Sequence, residues 1–197
     1  MRGCGKSTLT SRLSANPRFA RKVVFDIVEE WKGTHQASTF EQFAGIWRET
    51  FYQPNYTIVI RYAFGIPADQ IIELQTQICK LVYLTGRESG IETCIIFEEA
   101  QFYFPNHGLH PNNLHMLTTG RHAHINIIAN TQRPASISKL LISQSAEIYM
   151  GQLYEMNDMK YLYDTVGDLA LEARNLKPLE FLYYPVGYPE EIKLIEI

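Results

Sequence analysis

The sequence has few cysteines, no excess of positive charge and no long apolar run. Its three cysteines, Cys4, Cys79 and Cys94, are odd in number and far apart. That excludes a disulfide framework and fits the reduced thiols of a cytoplasmic protein. No stretch approaches the roughly 18 apolar residues of a membrane-spanning helix. The amino-terminal residues lack the apolar centre of a signal peptide, since glycine, serine and threonine dominate there. Lys and Arg number 18 against 21 Asp and Glu, a net charge of −3. This removes a global basic footprint for nucleic acid, but not a local one or one built by a ring of subunits. No repeat or low-complexity segment interrupts the 197 residues, of which 46% are hydrophobic. The length and composition suit a single domain, 1–197, with a sizeable core.

Apolar runs alternate with helical patterns. "KVVFDIV" (22–28), "YTIVIRY" (56–62), "ETCIIFEEA" (92–100) and "INIIANTQ" (125–132) read as buried strands. Residues 146–153 and 180–184 read as further strands, and "EIKLIEI" as a closing edge strand. Helices are predicted over 6–13, after a Ser38/Glu41 capping box, over 68–84 and over 112–121. Strands separated by helices imply an α/β fold, a mainly parallel sheet with helices on both faces.

The chain opens "MRGCGKSTLT". Gly5-Lys6-Ser7-Thr8 matches the back half of G-x-x-x-x-G-K-[ST], whose first glycine would precede Met1. In such a loop, glycines let backbone N–H groups converge on phosphate oxygens. The lysine neutralises phosphate charge and the hydroxyl ligates Mg²⁺. Gly3, Cys4, Gly5, Lys6, Ser7 and Thr8 are the candidate nucleotide-binding residues. The alternative is a glycine-containing terminus with a lysine in it.

The paired carboxylates in "CIIFEEAQ" favour the phosphate loop. Two acids at the carboxyl end of a buried strand are costly without a partner, and ligands of open α/β sheets bind at that edge. Glu98 is expected to orient the shell of a Mg²⁺ ion, with Ser7, and Glu99 to polarise an attacking water. The next strand ends in Asn130-Thr131-Gln132, where Gln132 is the best candidate to face a γ-phosphate or its water. Arg121 and Arg133 flank that strand. Either could stabilise transition-state charge across a subunit boundary or form a surface ion pair of little worth. Five of the six histidines fall between His107 and His124. With no cysteine near and a predicted helix between them, they read as loop and surface residues, not a zinc site. Phe102, Tyr103 and Phe104 read as packing beside the sheet edge in preference to base stacking.

"GCGKST", "CIIFEEAQFYFP" and "TTGRHAHINIIANTQRPASIS", in that order, resemble the HerA/FtsK superfamily of RecA-like, ring-forming P-loop ATPases. The short length looks most like the genome-packaging ATPases of tailless icosahedral viruses with an internal membrane. The stretch from Glu98 to Gln132 also resembles the zonula occludens toxin-like assembly ATPases of filamentous phages. The resemblance implies ATP and Mg²⁺ as cofactors and translocation of double-stranded DNA through a hexameric or similar ring. It further implies capsid or membrane-vertex partners and a place in the host cytoplasm and the virion. It gives Lys6 and Ser7 the Walker A roles, Glu98 the Walker B role, Glu99 the catalytic role and Gln132 the sensor role. Arg121 matches a trans-acting finger, with Arg133 second. A phage-type export ATPase and a non-catalytic nucleotide-binding scaffold are the competing readings.

Three features depart from the pattern. Glu98 stands where an aspartate is usual. Contact with DNA rests on a few residues, of which Lys139 and Lys160 are candidates. The strand that feeds a phosphate loop is missing. It is expected centrally, between the Glu98 strand and the later strands, and upstream residues are expected to supply it.

Overall fold

A computed structural model describes residues 5–197. Helix α1 (Lys6–Ser14) leads through a 3-10 turn to β1 (Arg21–Phe25). Then follow β2 (His35–Ala37), α2 (Phe40–Thr50), β3 (Tyr56–Ile60), α3 (Ala68–Ser89) and β4 (Thr93–Phe97). Next come α4 (Pro111–Thr119), β5 (Ile125–Ala129), α5 (Lys139–Ser143) and β6 (Glu147–Met150). The chain ends with α6 (Met156–Val166), α7 (Leu169–Glu172), β7 (Glu180–Pro185) and β8 (Lys193–Glu196).

β1 to β5 form a wholly parallel sheet in the order β2-β3-β1-β4-β5. Its central strands end in buried apolar runs, Val23–Phe25, Ile58–Ile60 and Cys94–Phe97, because both faces are covered there. On one face Val23, Phe25, Ile58, Ile60, Ile95 and Phe97 join residues of α2, α3 and α4 in the main core. On the other, Val24, Val59, Cys94 and Ile96 pack with Phe19, Trp31 and Ile128. Phe25 and Phe97 stack across neighbouring strands, with ring centroids 4.9 Å apart. β6, β7 and β8 form a separate antiparallel sheet.

Several boundaries differ from the sequence-based expectation. The four parallel strands stop at Phe25, Ile60, Phe97 and Ala129. Their polar tails are not strand but turn, and this is what lets Asp26, Arg61, Glu98 and Asn130 converge. The cap of α2 is Thr39, not Ser38. Thr39 Oγ1 accepts from the N–H of Gln42, whose side-chain carbonyl accepts from the N–H of Ser38. The box is thus shifted by one residue, because Gln42 closes it in place of Glu41. β4 pairs directly with β5, so no gap separates the Glu98 strand from its neighbour. The open edge lies on the far side of β5 instead.

Candidate functional site

The carboxyl rim of the parallel sheet gathers the candidate residues. α1 runs back from this rim, since its end leads into the amino end of β1. Gly5 caps α1 with φ 86°, the left-handed region. A Cβ there would lie 2.7 Å from Leu179 Cδ2, so both conformation and space require glycine. Among the described residues no side chain caps the helix, whose start carries N–H groups without a partner inside the helix. Ser7, the second residue of the helix, donates its hydroxyl hydrogen to Glu30 Oε2 at 2.8 Å. Gly3 and Cys4 lie outside the described residues.

Glu30 belongs to a loop that the sequence reading overlooked. Asp26 follows β1 directly and is fully buried. Its carboxylate pairs with Arg61, at the end of β3. It also accepts from the N–H groups of Glu30 (3.3 Å) and Trp31 (2.8 Å). Arg61 closes the loop by donating to the Trp31 carbonyl. So held, Trp31 donates its indole N–H to Glu98 Oε1 at 2.7 Å. Asp26 carried the same signal that singled out Glu98: an acid at the end of a buried apolar run.

Glu98 and Glu99 follow β4 and are nearly buried. Asn130, at the end of β5, organises both. Its side-chain amide donates to Glu98 Oε2 and, at 3.3 Å, to Thr10 Oγ1 on α1. Its side-chain carbonyl accepts from the N–H of Glu99 at 3.2 Å. Glu99 itself has φ 56°, a left-handed conformation that non-glycine residues rarely take except where the surroundings impose it. Gln132 and Gln101 donate to its two carboxylate oxygens at 2.5 and 2.9 Å.

The arginines are placed elsewhere. Arg133 reaches buried Asp158 on α6, at 3.2 Å, and Asp158 also accepts from the N–H of Ala135. Arg121 is exposed in the 3-10 turn before β5. The five residues of β5, about 16 Å of extended chain, separate it from Asn130 and Gln132. Within its own chain it cannot reach the acid pair. Lys139 pairs with Asp164 at 2.6 Å on the surface. No group of three or more metal-ligating side chains from His, Cys, Asp and Glu occurs among the described residues. Tyr103 and Phe104 are buried beside the sheet, while Phe102 stays half-exposed.

Burial raises the Glu98 carboxyl above its ordinary value of 4.5; the Trp31 and Asn130 hydrogen bonds oppose this, and the Asp26 and Glu30 charges add to it. The folded chain therefore keeps this proton to a higher pH than the unfolded chain does. Its stabilising contribution is full below the unfolded value and is lost as pH rises through the folded one. Glu98→Gln, neutral throughout, is expected to melt higher than the parent near neutral pH without divalent cation. The difference should vanish near about pH 4. A melting-temperature series over pH checks this; equal melting at neutral pH would count against a strained carboxylate.

No family model and no curated protein matches the sequence. Solved structures do match in fold. The genome packaging NTPase B204 from Sulfolobus turreted icosahedral virus 2, in complex with AMPPCP, superposes with a TM-score of 0.76 at 21% identity, over 99% of this chain and 93% of that one. Its sulfate complex gives 0.76 at 20% identity, over 99% and 92%. B204, the DNA-packaging ATPase from Sulfolobus Turreted Icosahedral Virus, gives 0.70 at 18%, over 99% and 93%. The α/β arrangement, a mainly parallel sheet flanked by helices, is thus a fold shared with these viral packaging NTPases.

Proposed function

We propose that this chain is an ATP-hydrolysing motor subunit that translocates double-stranded DNA during viral genome packaging. One observation carries the reading. The start of the G-K-S-T helix and the Glu98-Glu99 pair share a single hydrogen-bonded rim, through Glu30, Trp31 and Asn130. The fold shared with packaging NTPases supports it.

In this reading Lys6 and the N–H groups after Gly5 bind the phosphates of ATP. The rim's oxygen donors, the Ser7 hydroxyl and the carboxylates of Glu30 and Glu98, are of the kind that suits Mg²⁺. The charges of Asp26 and Glu30 both act unfavourably on the Glu98 carboxylate, and a cation beside it would relieve this. When bound, Mg²⁺ supplies charge neutralisation for the phosphates. Glu99, positioned by Gln101 and Gln132, accepts the proton of the attacking water. Arg121, out of reach of its own rim, acts on the neighbouring subunit's nucleotide in a homo-oligomeric ring, for which six is the favoured number. Capsid or vertex proteins would anchor that ring, in the host cytoplasm and the virion.

ATP turnover with and without double-stranded DNA tests the reading. DNA is expected to raise the rate several-fold. A rate indifferent to DNA would favour an export or assembly ATPase. Doping parent subunits with Arg121→Ala subunits should depress activity more than in proportion, because each altered subunit disables a neighbour. Strictly proportional activity would remove Arg121 from the mechanism.

A further inference from the structure

Glu98 is held from two sides by N–H groups. The indole of Trp31 reaches Oε1 at 2.7 Å, and the side-chain amide of Asn130 reaches Oε2. A carboxylate has about four acceptor positions, so each oxygen keeps one open. Glutamate also has one more rotatable bond than aspartate, and so more freedom to lose before its carboxylate points one way. Two bonds on different oxygens fix both the plane and the direction of the group. With one of them gone, it swings about the other.

Trp31 owes its post to its loop. Its ring rests on the sheet face built by Phe19, Val24, Val59, Cys94 and Ile96. Its backbone is tied at both ends, the N–H to Asp26 and the carbonyl to Arg61. Just before it, Glu29 has φ 60°, a turn that a non-glycine residue takes only where its surroundings impose it. Beyond this turn the next two side chains reach different elements. Glu30 accepts from Ser7 on α1, and Trp31 donates to Glu98 after β4. One loop thus grips both oxygen-bearing groups and sets how far apart they stand.

We propose, on the reading of this rim as a nucleotide and Mg²⁺ site, that Trp31 is a positioning residue: its indole N–H holds the Glu98 carboxylate in the orientation that meets the cation beside Ser7. An indole suits the task because it donates and has no acceptor. It cannot itself take a place beside a cation, and the open positions of Glu98 stay available while its bond is kept.

The test removes the N–H and keeps the ring. Benzothienylalanine, in which sulfur replaces the indole N–H, is placed at position 31 of the full chain, and Trp31→Phe is made beside it. A single cooperative melt shows that each variant is folded. Mn²⁺ alone is titrated into each protein, and the free ion is counted by its electron paramagnetic resonance signal. The sulfur isostere is expected to bind Mn²⁺ about 10- to 100-fold more weakly than the parent, the usual cost of losing a hydrogen bond that orients a metal ligand. Turnover should show the matching split. The Mg²⁺ concentration for half-maximal rate rises by the same factor, while the rate at saturating Mg²⁺ stays within about twofold of the parent's. Mn²⁺ affinity equal to the parent's in the isostere would overturn the role of the N–H. Weaker binding by Trp31→Phe alone would do the same, because it would assign the effect to ring packing. Both results leave the rim standing as a cation site. A parent chain that binds no Mn²⁺ would overturn that reading, and the role of Trp31 with it.

Discussion

Glu99→Gln is expected to lower the ATP turnover number by about 10²–10⁴-fold, the usual worth of a positioned general base, with nucleotide affinity nearly unchanged. The substitution is conservative in shape and removes the basic oxygen. It also spares the hydrogen bonding. Gln101 and Gln132 both meet Glu99 through side-chain amides. Gln132 is exposed and can turn its carbonyl to meet a new amide hydrogen. Gln101 is fixed, because its own carbonyl accepts from Thr131. The melting temperature should therefore stay within about 2 °C. Loss of turnover with retained binding removes an interaction made only in the transition state. Turnover equal to the parent's would show that Glu99 is not the base.

The second large effect is on stability and lies away from the phosphate loop. Arg61→Met is expected to cost about 3–5 kcal/mol, because it strands a fully buried Asp26 without its counter-charge. For a domain of this size that corresponds to a melting temperature lower by about 6–20 °C. The loop from Asp26 to Trp31 loses two ties at once, since Arg61 holds both the carboxylate and the Trp31 carbonyl. Adding Asp26→Asn to Arg61→Met should recover much of the loss. The amide keeps one oxygen, enough for the shorter bond from the N–H of Trp31 but not also for that of Glu30, which meets the other carboxylate oxygen, and it carries no charge to bury. Urea unfolding of the two single variants and the double one closes the cycle. A loss below about 1 kcal/mol in Arg61→Met would show that the pair is solvated in solution.

Four strands of the parallel sheet were legible because each carries a short, mostly apolar, β-branched run that burial explains. Glu98 and Glu99 were legible for the converse reason, as charge where charge is expensive. What stayed hidden depends on contact between distant residues. Trp31 is an ordinary aromatic until Asp26 and Arg61, 35 positions apart, fold its loop over Glu98. Asn130 was one of three polar residues at a strand end, and nothing local ranks it above Gln132. Only the pairing of β4 with β5 puts it between the two acids. β2, of three residues, is too short to carry a period. The direct pairing of β4 with β5 was hidden for a similar reason. Strand order across a sheet is a matter of topology, and the sequence lists strands only in time.

The hydrogen bond between Ser7 and Glu30 fixes the chemical sense of the rim. A hydroxyl has one hydrogen, and here Glu30 takes it. Ser7 is left with lone pairs alone to show to anything that arrives beside Gly5. Asn130 is committed likewise, its amide group turned to Glu98 and Thr10. The Asn130 carbonyl is taken by the N–H of Glu99, so what these side chains still offer is the lone pairs of Ser7. They welcome a cation or a donor and turn away an acceptor, so an anion can settle only where backbone N–H groups or lysine receive it. The rim thus sorts visitors by the sign of what they offer, and that sorting was decided by where a single proton went.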